Sequence, residues 1–185
     1  IPREVEARPK PVLDINATEL IATDASLKSD ERLSAMPDLY IGAAAAPHEP
    51  KADWVPRKLL AKAEAGALFL LTYTSMDIEL LRRYMKRLVA TQMTRRMTVI
   101  VSTAIFTSAE DAKWLRDSRP NVVIPDSIIL RLESASNPRK EGLAICAEQL
   151  TQLAQMPGIS GANIMATTDL AMIPEAIDAA DLSEA

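Results

Sequence analysis

One cysteine, one histidine and only five glycines stand among the 185 residues, and each scarcity closes a route. Cys146 has no second cysteine to pair with, so no internal disulfide staples the fold, which fits a reducing cytoplasm. His48 with Glu49 beside it falls short of the three or four ligands a metal ion wants, so no metal centre is expected. No Ser/His/Asp or Cys/His arrangement can be assembled for nucleophilic catalysis. No glycine-rich fingerprint follows any apolar run, which counts against the phosphate loops of dinucleotide-binding and P-loop folds. Positive charge is not in excess: 21 Lys and Arg against 25 Asp and Glu leave a net charge of −4, so neither nucleic acid nor an anionic membrane is an expected partner. No stretch approaches the ~18 consecutive apolar residues of a membrane span, and no signal-peptide pattern is visible. The expectation is a cytoplasmic protein of one domain, residues 1–185. With 48% of its residues hydrophobic, a chain of this length can bury roughly 70% of its unfolded surface.

What is there is an alternation of helical and strand-like stretches. The clearest unit begins at Arg57, where good helix formers run to Ala65 and Gly66 stands where a left-handed residue would end the helix. Ala67 to Leu71 is an unbroken apolar run, right for one buried strand and too short for a helix. Thr72-Tyr73-Thr74-Ser75 is a polar loop, and Ser75 or Asp77 can cap a helix whose apolar positions Ile78, Leu81, Met85 and Leu88/Val89 recur at helical spacing. Side chains just past the carboxyl end of such a strand look into the crevice where α/β proteins bind ligands, which singles out Thr72 and Tyr73.

Around that unit, Ile1 to Pro11 reads as an extended, proline-bearing lead-in. Asn16 or Thr18 can cap a short helix containing Glu19, Leu20 and Ile21. Leu39 to Ala44 is the first strand, emptying into a loop that Pro47 and Pro50 fix around His48 and Glu49. Met97 to Thr103 is the third, and Ser108 with Asp111 starts a capped helix that ends before Pro120. Asn121 to Ile124 reads as a fourth strand, followed by a helix from Asp126 to about Leu132 and a turn at Asn137-Pro138. Glu141 to Met156 is a helix with Leu143, Cys146, Ala147, Leu150 and Leu153 on one face. Ile159 to Met165 is the fifth strand, and a last helix runs from about Leu170 to Ala180. There is no internal repeat.

Strands separated by helices predict a parallel sheet with right-handed crossovers. A complete (β/α)8 barrel takes about 250 residues, so a barrel of this TIM type would be represented here by its C-terminal half to five-eighths. The chain opens at Ile1, on a polar segment without a methionine, as the later part of a longer protein would. An incomplete barrel leaves strand edges free to pair, so a homo-oligomer or a complex with a partner chain is expected.

Several segments together resemble the methylenetetrahydrofolate reductases, flavin-containing (β/α)8 barrels of one-carbon metabolism. Lys10-Pro11-Val12-Leu13-Asp14 followed by Leu20-Ile21 resembles the segment after that family's flavin-contacting Gly-Asp motif. Ile41-Gly42-Ala43-Ala44 through Pro47 is similar to its next strand and loop. Leu59 to Lys62 with Ala65-Gly66-Ala67 resembles its Arg-Leu-x-x-Lys-x-x-Ala-Gly-Ala signature, Lys58 standing in the arginine's place. Ile124-Pro125 with Arg131-Leu132, and Glu141 to Ala144 through Met156 to Gly161, resemble the closing part of the barrel.

The resemblance implies FAD as cofactor, passing a hydride from NAD(P)H to a folate substrate, methylenetetrahydrofolate. It implies that Ala17, His48, Lys58, Lys62 and Ala67 lie along the flavin, with the lysines near its phosphates. Tyr73 would face the folate, and Trp114 or Leu115 would sit where the family places an aromatic over the aminobenzoate. In two respects this sequence departs from the family. The family usually ends its second strand here with Thr-Gln, and Tyr73 cannot offer the donor-and-acceptor pair of an amide. The family's general-acid glutamate and flavin-facing aspartate belong to segments before Ile1, so no catalytic residue is expected within this chain and none of the reductase activity from it alone. The alternative is a flavin-free homologue that binds or scaffolds a folate or another one-carbon carrier without redox chemistry.

Plainer readings account for several other residues. Arg82, Arg83, Lys86 and Arg87, with Glu79 nearby, read as a solvated outer helix face. Cys146 and Met76, Met85, Met93 and Met97 read as packing. Lys62, at a helix end, is also where the macrodipole favours a cation.

Overall fold

The structure, a computed structural model, describes residues 15–27 and 39–182. The lead-in from Ile1 to Pro11 and the Lys10 to Asp14 segment of the resemblance lie outside the described residues. Helix α1 (Ala17–Leu27) starts with a reciprocal cap: the Asn16 side chain accepts from the amides of Thr18 and Glu19, and Glu19 accepts from the Asn16 amide at 2.7 Å. Strand β1 (Gly42–Ala45) leads to α2 (Arg57–Glu64), β2 (Phe69–Thr72) and α3 (Ile78–Ala90). The α2–β2 turn is closed by two bonds, Ala67 N–H to the Lys62 carbonyl (3.0 Å) and Gly66 N–H to the Ala63 carbonyl (3.1 Å), with Gly66 at φ 112°. This is the left-handed termination that only glycine enters without strain. Of the two candidate caps for α3 it is Asp77 that serves, accepting from the Leu80 amide at 2.9 Å, while Ser75 is buried.

Strand β3 (Thr98–Ile105) is followed by α4 (Ala109–Ser118), α5 (Asp126–Ser134), α6 (Pro138–Ala154), β4 (Gly161–Ala166) and α7 (Met172–Ala180). Ser108 caps α4 through the Asp111 amide (3.1 Å). The Asn137-Pro138 pair is the opening of α6, not a turn before it: Asn137 accepts from the Lys140 amide, and Pro138 occupies the first turn, where a missing N–H costs nothing. The expected fourth strand at Asn121 to Ile124 reduces to one parallel bridge between Val123 and Ser75. Pro120 and Pro125 bracket those four residues, leaving room for little more pairing.

Among the described residues the sheet has four strands in the order β1-β2-β3-β4, every pair parallel. Parallel neighbours taken in sequence order, with crossovers of one hand, put the connecting helices on one side. The packing agrees. Ala43, Leu70 and Val99 are register partners, and they share a core cluster with Ile21 of α1, Leu59 of α2 and Leu81, Tyr84, Met85 and Leu88 of α3. Further along, Ile105 and Ile164 pack with Cys146 and Leu150 of α6 and Met172 and Ala176 of α7. Cys146 is 0% exposed, and burial pushes its thiol up to about 11. The four methionines read as packing are all buried.

The opposite face of the sheet is half open. The Phe69 ring lies across Gly42, so close that a Cβ there would meet it at 2.2 Å, and stacks on Tyr40 at 5.4 Å. Leu71 and Ile100 are half-buried and Met165 is 40% exposed. No described helix is long and apolar enough to cross a membrane.

Candidate functional site

Two cavities, of about 500 and about 350 Å3, open at the carboxyl ends of the strands and share Ala44 and Tyr73. The larger begins where β1 ends. Ala44, Ala45 and Ala46 have no bulk beyond a methyl, so the space over them stays empty. Its far wall is an aromatic group in which His48 meets Trp54 at 4.9 Å and Tyr84 at 5.3 Å between ring centroids. Burial pushes the Tyr84 phenol up to about 12, so it stays neutral and hydrophobic in use. Two arginines of α3 hold this loop: Arg83 Nε donates to Glu49 Oε2 at 2.8 Å, and Arg87 Nε to the Trp54 carbonyl at 2.8 Å. Of the basic run expected to be a solvated face, Arg82, Arg83 and Lys86 are exposed and Arg87 is half-buried.

The near wall is α2. Pro56 precedes it and its carbonyl takes the Leu59 and Leu60 amides, while the Arg57 amide bonds to the Val55 carbonyl, and Arg57, Lys58 and Lys62 all line the cavity. Lys58 and Lys62 lie four apart on one helical face. Lys62 Nζ donates to the Ala44 carbonyl at 2.8 Å, tying the helix to the end of β1. An open cavity with three cations and an aromatic wall suits a phosphate-bearing ligand with a planar group.

The smaller cavity lies on the open face of the sheet. Leu71, Ser102, Asn163 and Met165 line it from β2, β3 and β4. Asn163 Nδ2 donates to Ser102 Oγ at 3.2 Å, and Thr74 Oγ1 to the Met165 sulfur at 3.1 Å. Tyr73, 43% exposed, stands at the junction of the two cavities. The wall is completed by Leu115 and Arg119 of the α4 end and by Val122. Backbone bonds of Val123 and Met76 to the 74–76 loop fix that wall, with Val123 N–H on the Thr74 carbonyl (3.0 Å) and Met76 N–H on the Val123 carbonyl (2.8 Å). Beneath it Gln149 of α6, buried, donates to the Met76 carbonyl (2.7 Å) and accepts from Thr103 Oγ1 (3.2 Å). Thr107 Oγ1 bonds Asp111 at 2.5 Å and Thr168 at 3.0 Å, joining the ends of β3 and β4 to α4.

The site residues predicted from sequence divide cleanly. His48, Lys58 and Lys62 meet in the first cavity, Leu115 lines the second, and Tyr73 lines both. Ala17, Ala67 and Trp114 line neither. Ala17 is the exposed first residue of α1. Ala67 turns its methyl into the helix-side core with Leu59 and Leu70. Trp114 packs against the cluster formed by α4, α5 and α6, of which Leu115 is itself a member. Arg57, Ser102, Arg119 and Asn163 went unnoticed in the sequence. No Asp or Glu lines either cavity.

Taken together, these features define an α/β protein with a parallel sheet and ligand cavities at its carboxyl edge. No family model and no curated protein matches the chain.

Proposed function

We propose that this chain forms the ligand-binding half of a flavoprotein of the methylenetetrahydrofolate reductase type, a cytoplasmic (β/α)8 barrel in which FAD mediates reduction of a methylenetetrahydrofolate by NAD(P)H. The observation that carries the reading is the pair of adjoining cavities meeting at Tyr73. One is cationic and walled by aromatics; the other is neutral but for one side chain. In the first, Lys58 and Lys62, with Arg57, would hold phosphates, and His48 and Trp54 would cover a planar group. In the second, Tyr73 and Leu115 would flank the folate. When bound, the flavin supplies the hydride chemistry, while this chain binds, orients and excludes water.

The sequential, one-sided sheet supports the barrel. Closing it takes four more strands, and the edges of β1 and β4, unpaired among the described residues, would receive them from residues upstream, a second copy or a partner chain. Among the described residues no carboxylate lines either cavity, and the family resemblance puts the general acid before Ile1, so no turnover is expected from this chain alone. The second reading, a flavin-free folate carrier, is favoured by that same missing acid and by Tyr73.

Titration with FAD separates the two. Binding in the micromolar range, with flavin fluorescence quenched and affinity lowered about tenfold or more by a Lys58→Ala, Lys62→Ala double substitution, supports the flavoprotein. A protein indifferent to FAD that still binds folate supports the carrier.

A further inference from the structure

We propose that Arg119 recognises a carboxylate on the ligand of the smaller cavity, so that the cavity selects a ring-bearing molecule with an acidic tail. Among the described residues Arg119 is the only charged side chain lining that cavity. Among the described residues it has no ion-pair partner, whereas Arg116 of α4 pairs with Asp126 at 2.7 Å. Leu115 of α4 and Arg119, the extended residue that ends it, present one apolar and one cationic group to the same space. The other polar side chains that line it, Thr72, Tyr73, Thr74, Ser102 and Asn163, include no carboxylate or amine. They suit the edge of a heterocycle, and the guanidinium fork at the α4 end suits a carboxylate, which it can take with two parallel hydrogen bonds. An unpaired cation beside Leu71, Leu115 and Met165 is partly desolvated, so pairing it with an anionic ligand gains more than at an open surface.

The inference rests on a folate occupying this cavity, and names the part of it, the glutamyl carboxylates, that Arg119 takes. Calorimetry with folic acid and with its glutamate dimethyl ester tests it, because the ester keeps the rings and removes both charges. The wild-type chain is expected to bind folic acid about tenfold more tightly than the ester. Arg119→Met should abolish that preference by weakening the acid alone, and Arg119→Lys should restore part of it. Equal binding of acid and ester by the wild type, or a preference that survives in Arg119→Met, overturns the role of Arg119 and leaves the folate reading standing. Binding of neither compound overturns both. Equal binding by the wild type overturns the proposal even if Arg119→Met is poorly folded, and Arg119→Lys, which keeps the charge, then carries the variant arm.

Discussion

Gly66 is the residue whose replacement has the most predictable cost. At φ 112° it lies outside what a side chain adopts readily, and a Cβ there would stand 2.8 Å from that of Ala25. Gly66→Ala is expected to lower stability by about 1–3 kcal/mol, read from the midpoint of urea unfolding at unchanged slope. The sequence announced this glycine because its reason is local: the helix before it and the apolar run after it are contiguous. Gln149 is the opposite case. In a helix where Leu150 and Leu153 define the apolar face, it looks no different from the exposed Gln152. Its two partners, Thr103 and Met76, lie 46 and 73 residues away, beyond any spacing argument. Gln149→Leu strands a buried carbonyl and a buried hydroxyl, and is expected to cost about 2–3 kcal/mol while loosening the loop that carries Tyr73. Weaker ligand binding with the helical content unchanged would register that second effect.

Helix α6 carries an electrostatic dependence that belongs to the element as a whole. Arg131 of α5 donates to Glu141 and to Glu148 of α6, and its hydrogen bond holds the Glu148 carboxyl below the usual carboxylate range. Arg139 does the same to Glu175 of α7. For a carboxyl whose folded pKa is depressed, the stabilisation is complete above the unfolded value of about 4.3 and is lost as pH falls through the lower folded one. Melting temperature is therefore expected to hold from pH 7 to about 5 and to fall below that, with a shallower fall in Arg131→Met. These groups are largely exposed, so high salt should flatten the same limb. Elements were legible where their signals were long: the 13 residues of α3 and the 17 of α6 announce themselves by period. Asn121 to Ile124 had the composition of a strand, but two flanking prolines and a position above the sheet left it a single bridge. Site residues on elements were legible only in part. Tyr73 follows from its place after a strand, whereas Arg119 and Asn163 become neighbours only once α4 and β4 fold against the same rim.

At the scale of the molecule the decisive feature is a sheet with helices on one side and two edges that are unpaired among the described residues. Light scattering is expected to give a mass above the monomer's 20.2 kDa. Tyr40, 67% exposed beside Phe69 on the open face, offers a mild probe: Tyr40→Lys should shift the population toward monomer with little change in unfolding midpoint. A monomer at all concentrations would remove the expectation of a second copy. One other feature turns the folded chain into its own reporter. Cys146, sealed in the core, reacts with a thiol reagent only when that core opens, so its modification in native buffer clocks opening events and nothing else. A ligand that grips the closed form slows the clock by 1 + [L]/Kd, and the same sulfur can thus weigh FAD and folate in turn, with neither colour nor turnover required.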